Sequence, residues 1–243
     1  MTRINLGGHG LSRVRFAVSP LDTAKDLLFA LARSPRVLGA DWRAQAVGAL
    51  SERRLGLLAV VPGGGPGGYA PDFLRPEPAG FETTLDSALH QVATTPSERV
   101  RYELAAAIGG HSWGKTVAHR PPRLLLMAMD RGEEYVAQRI AVELEQFWDA
   151  VLAPHWPGMR TRLEGDVAAR ASMIARHGIA DAVNQLASNL EWHDGALKVH
   201  LRATSSHRLS LDADAAILVP SVFAGRATFC AAEPPGAPAP AHH

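Results

Sequence analysis

A predominantly α-helical α+β domain with a small antiparallel sheet near the C-terminus is the fold class this sequence predicts. Three observations predict it. From Pro20 to Leu186 apolar residues recur every three to four positions, the spacing of helices with one buried face. The period then falls to two: Leu190 and Trp192 alternate with polar residues, Asp194-Gly195 is a hairpin turn, and Leu197, Val199 and Leu201 alternate again. Nowhere do strands and helices alternate in the way that builds a parallel sheet.

Arg3–Leu6 suits a short strand. A helix follows over Pro20–Arg33, with Leu21, Ala24, Leu28 and Leu31 inward. A second runs over Asp41–Arg54, with Asp41 as N-cap and Trp42, Ala46, Ala49 and Leu50 on one face. Glycine and proline crowd Pro62–Pro78, so helix cannot persist and a long loop is expected. Thr83–Thr94 is helical, with Leu85, Leu89 and Val92 inward. The next helix starts at Thr95-Pro96-Ser97-Glu98, an N-cap threonine with proline at the first helical position and glutamate at the third. Its apolar face is Val100, Leu104 and Ile108, and Gly109-Gly110 ends it. Val136, Ile140, Leu144, Phe147 and Val151 mark a helix over Arg131–Ala153. Glu133, Glu134, Glu143 and Glu145 are expected on its solvated face. Pro154 cannot continue that helix, and Pro157 suits the first turn of another. That one runs to His177 with Met159, Leu163, Val167 and Ile174 inward. A short helix spans Ile179–Leu186. Leu209/Leu211 and Ala215–Val219 suggest two further strands. A single domain over residues 1–230 is expected, with its hairpin region at 189–223. The Pro/Ala-rich tail at 231–243 is expected to be disordered.

At 243 residues the chain can bury a sizeable core. Its net charge of +1 provides no field that favours nucleic acid or an anionic membrane. Residues 1–60 hold nine Lys/Arg against four Asp/Glu, a local excess of five read as a solvated basic face. The lone cysteine, Cys230, excludes a disulfide framework or a thiolate cluster within one chain. With no signal-peptide pattern and no apolar run long enough to span a membrane, a cytoplasmic location is expected.

Two catalytic patterns overlap in Gly109–Thr116. Gly109, Gly114, Lys115 and Thr116 have the spacing of a phosphate-binding loop. Gly110, Ser112 and Gly114 have that of a nucleophile elbow. Both need a strand before the glycine and a helix after it, whereas the residues before Gly109 have the pattern of a well-capped helix. A loop that terminates a helix is therefore the main reading. A hydrolase or NTPase using Ser112 or Lys115/Thr116 is the alternative. The histidines, His111, His119, His155, His177, His193, His200 and His207 among them, have no metal-ligand spacing, although His200 and His207 would approach each other across strands. No cofactor or metal is expected. Phe147, Trp148 and Trp156 have core spacing. A pocket lined by Tyr69, Phe73, Trp148 and Trp156 would suit an apolar or aromatic small molecule.

Several phrases occur in a fixed order: Arg15-Phe16, Ser19-Pro20, Tyr69-x-Pro71-Asp72-Phe73-Leu74 and Thr95-Pro96. Then come Leu144-x-x-Phe147-Trp148, Pro154-x-Trp156, Leu163-x-x-Asp166, Trp192 with its hairpin, and Leu218-Val219-Pro220-Ser221-x-Phe223. In this order they resemble the N-terminal sensory domain that precedes the winged helix in a group of ArsR-type transcriptional regulators. The resemblance implies a mostly helical homodimer with a small sheet, an effector that is generally unknown and no known enzymatic activity. In such regulators the Val-Pro-Ser phrase leads into a winged helix-turn-helix. Here Phe229–His243 is Pro/Ala-rich, so DNA binding is not carried over. The expectation is a sensory and dimerisation domain without the DNA-reading module, acting as a homodimer or as a heterodimer with an intact regulator. Tyr69, Phe73, Trp148 and Trp156 would form its pocket or interface, and Pro154–Pro157 its pivot.

Overall fold

The computed structural model describes residues 2–6, 14–33, 38–61, 70–108, 111–112, 115–116, 121–193, 196–200, 209–213 and 216–224. The fold is α+β and mostly helical. Helices α1 (Pro20–Arg33), α2 (Ala40–Glu52) and α3 (Gly56–Val60) precede a 3-10 turn at Asp72–Leu74. Next come α4 (Leu85–Ala93), α5 (Ser97–Ile108), α6 (Arg123–Met129) and α7 (Glu133–Phe147), and finally α8 (Trp156–His177) and α9 (Ile179–Asn184).

Helix α7 is the axis of the main core. Val136, Ala137, Ile140, Ala141, Leu144 and Phe147 are all buried on it, at the spacing the sequence predicts. Helices α2 through α6 all pack against it. Removing Phe147, fully buried, from water contributes about 1.5–3 kcal/mol, so this face alone stabilises the helix far more than its propensity does. On α1 the predicted Leu21, Ala24 and Leu28 are buried, as are Ala46 and Ala49 on α2.

Three helix starts differ from expectation in instructive ways. Gly39, not Asp41, is the N-cap of α2, so Asp41 sits in the first turn, where a carboxylate favours the positive helix end. Thr84 caps α4, its hydroxyl accepting from Ser87 N at 3.2 Å. Helix α5 begins at Ser97, with the Pro96 carbonyl as its first acceptor. The Thr95 hydroxyl reaches back to the preceding helix, donating to Gln91 O at 3.0 Å.

Four strands form one sheet in the order β5 (Leu190–His193), β6 (Ala196–Val199), β1 (Thr2–Leu6), β7 (Leu209–Ala213). The β5–β6 hairpin near the C-terminus is antiparallel, with Leu190 opposite Val199 and Trp192 opposite Leu197, which is the predicted register. Its pairing of His193 with Ala196 leaves a two-residue connection, as Asp194-Gly195 requires. Strand β1 joins β6 antiparallel and β7 parallel. Ile4, Val183, Leu197 and Val199 form a small core between this sheet and α9. Separately, β2 (Val14–Phe16) pairs parallel with β8 (Ala216–Leu218).

Within the residues matching catalytic patterns, β3 (His111–Ser112) pairs antiparallel with β4 (Lys115–Thr116). Helix α5 occupies the stretch before Gly109, where either pattern needs a strand. Leu124–Asp130, which resembles a magnesium-binding strand in sequence, lies in α6 as far as Met129, with Asp130 as its C-cap. Among the described residues no helix is long and apolar enough to cross a membrane.

Candidate functional site

Between α7 and α8 the chain does not simply kink. Trp148–Leu152 is one π-helical turn and Ala153–His155 is a 3-10 turn, so the path stays helical while its pitch changes twice. Proline explains the change. In a continuous α-helix Pro154 would have no N–H for the Ala150 carbonyl, and its ring would press against that carbonyl. The Ala153 N–H instead reaches five residues back to Trp148 O, which opens the turn, and the Trp156 N–H bonds to Ala153 O, which tightens the next. Pro157 then lies in the first turn of α8, where no N–H is needed.

Aromatic rings surround this junction. Trp148, buried, and Trp156, half-buried, meet edge to face with centroids 5.2 Å apart and planes at 66°. His155 meets Trp42 of α2 at 5.0 Å and 73°. Trp42 in turn meets Phe223 at 5.2 Å and 80°. Trp156 touches both the main core and a smaller one made of Val18, Leu163 and Val167.

The structure thus brings together two of the four predicted pocket residues, Trp148 and Trp156. Phe73 is buried in the main core, with no ring contact to either tryptophan among the described residues. Tyr69 lies outside the described residues. Trp42, His155 and Phe223 were not predicted as site residues. The sequence marks Trp42 only as an inward residue of α2, and Phe223 only as the end of the Val-Pro-Ser phrase. Nothing local in the sequence signals that they meet across the fold.

Two buried glutamates form a second pattern. Glu143 was expected on a solvated face, but it is 2% exposed. Its Oε2 accepts from Leu58 N at 2.9 Å and its Oε1 from Arg139 Nε at 2.9 Å. Leu58 N–H is one of the donors that α3 leaves unpaired at its start, so Glu143 caps α3 from across the core. Glu103, fully buried on α5, does the same for the 3-10 turn. It accepts from Phe73 N at 2.6 Å and from Arg99 Nε at 2.6 Å. The remaining glutamates of the predicted solvated face divide: Glu134 and Glu145 are exposed, while Glu133 pairs with Arg101 at 2.6 Å.

A third polar cluster ties the segment after residue 70 onto α1. Arg75 pairs with Asp22 at 2.7 Å and with Asp26, and Lys25, buried, donates to Pro71 O at 3.4 Å. Ser19 Oγ accepts from Asp22 N at 3.1 Å. Burial pushes the Asp22 carboxyl above its ordinary range, an effect that Arg75 opposes and Asp26 reinforces. On β5, Glu191 is held below the usual carboxylate range by His200, 3.2 Å away, and by Lys198. His207 lies outside the described residues. Among the described residues no group of three His, Cys, Asp or Glu could hold a metal ion.

No family model matches the chain, and neither a curated protein nor a solved structure is significantly similar to it. The arrangement around the α7–α8 junction is therefore the ground on which a functional reading rests.

Proposed function

We propose that this chain is an effector-responsive, dimerising domain of the kind found in ArsR-type transcriptional regulators, and that the α7–α8 junction is its moving part. One observation carries the reading. A π turn followed by a 3-10 turn interrupts the helical path at a point where Trp148 meets Trp156 and His155 meets Trp42. Single π turns within helices are frequent at functional sites. A ligand that favours one arrangement of the junction shifts the population toward it by its difference in affinity for the two. Trp156, half-buried beside the buried Trp148, leaves part of its indole open, which suits an aromatic or apolar small molecule.

Native mass spectrometry of the full chain isolated from its own cells tests this. Two chains of 26.0 kDa together are expected, carrying a non-covalent adduct on the order of hundreds of daltons, the mass of a pocket-sized ligand. Trp156→Leu should remove the adduct and keep the dimer. A bare monomer at all concentrations would overturn the proposal.

A further inference from the structure

The segment 216–224 begins with β8 and continues onto α8 and the ring of Trp42. Strand β8 is anchored beside β2, and Ala17 N donates to Leu218 O at 3.1 Å. Beyond it, Ser221 Oγ accepts from both Phe223 N and Ala224 N at 3.2 Å, which fixes a tight turn. That turn directs two consecutive side chains to different places. Val222 packs on Val18, Leu163 and Val167, and so on α8. Phe223 packs on the main core and meets Trp42, whose ring in turn meets His155 at the 3-10 turn. The segment therefore touches α8 directly and reaches the junction through one intervening ring.

We infer that Val222–Phe223 is the output element of the junction, and that the ring chain His155–Trp42–Phe223 transmits a change of junction pitch to the backbone at Ala224. The inference rests on the effector-responsive reading and names its path. His155 is carried on the 3-10 turn, so a shift of the junction would cost it its place against Trp42. Trp42 stands on a different helix and would not follow. Phe223 would then lose the ring neighbour that His155 steadies, and the Ser221 turn would loosen. A contiguous chain of contacts is only a candidate path, so coupling has to be measured.

Amide exchange by NMR on the full chain measures it. His155 is exposed, so His155→Ala leaves the core intact. The expected result is faster exchange at Phe223 and Ala224, by a factor of about five, as for the loss of one edge-to-face ring pair. With Trp42→Leu already present, His155→Ala should add nothing. Asp149→Ala, exposed on the π turn and outside the ring chain, should leave both amides unchanged. Unaltered exchange in His155→Ala overturns the inference, as does an equal response with and without Trp42. A dimer with its adduct but no coupling overturns the relay alone. Coupling in a bare monomer overturns the sensory reading and leaves the relay standing.

Discussion

Replacing Glu143 with leucine separates the two roles of a buried carboxylate. Leucine is apolar and of similar size, so the core position stays filled and no large cavity opens. What it removes is the acceptor for Leu58 N–H. Leu58 is 2% exposed, so water has little access to that donor. An orphaned buried N–H costs about 1–3 kcal/mol. Arg139 is 43% exposed in its side chain and can turn to solvent, so losing its pair adds only about 0–1 kcal/mol. The expected total is about 1–4 kcal/mol, or roughly 2–16 °C in Tm for a domain of this size. Glu143→Gln keeps an amide oxygen for Leu58 and loses only the charge, so about 1 kcal/mol is expected. Urea titrations followed by far-ultraviolet circular dichroism give both values. The loss should appear in the midpoint without a change of slope, because the surface exposed on unfolding is the same. A leucine variant within about 0.5 kcal/mol of the parent, or a glutamine variant as damaged as the leucine one, would refute the capping argument.

Gly178 ends α8 at φ 85° and ψ 167°, a region closed to residues with a Cβ. Gly178→Ala should cost about 1–3 kcal/mol in the same titration although nothing lies within 4 Å of the added carbon. A cost below about 0.3 kcal/mol would show that the backbone adapts there. Asp22 supplies a pH dependence. Its carboxyl is raised in the folded state, so its contribution is fully present below the ordinary value of 3.8 and is lost as pH rises through the folded value. The stability of the parent relative to Asp22→Asn should therefore fall as pH is raised from 4, then level off. A difference that grows with pH would mean that Arg75, not burial, dominates at this site.

Much of the helical skeleton was legible because its signals are local. Leu21, Ala24 and Leu28 on α1 and Val136, Ile140 and Leu144 on α7 announce their buried faces through spacing alone. The hairpin register was legible too, since alternation and Asp194-Gly195 lie within a dozen residues of each other. Long-range partners were not. Glu143 occupies a polar position flanked by Val142 and Leu144, and only Leu58, 85 residues earlier, explains its burial. Strand β1 gives no sign that it will sit between β6 and β7, almost two hundred residues away in the chain. Trp42 and Phe223 belong to elements whose own patterns are satisfied without each other.

The junction lies between these cases, and the reason bears on its role. Pro154 forbids a regular helix by removing one donor, but it does not say how the chain will absorb the loss. A sharp kink would separate α7 from α8. A π turn with a 3-10 turn preserves the helical path and stores the mismatch as one extra residue. The choice was made by tertiary packing. Val151 and Leu152 are buried on the π turn, and Trp148 and Trp156 close on each other across it. Pro154 imposes the irregularity and packing selects its form, so a change in packing acts on the form and not on its presence. A ligand that touches the rings holding such a segment shifts it only by its difference in affinity for the two arrangements. Those rings come from α2, the junction itself and the segment after β8, which makes the junction a meeting point of three distant parts of the chain.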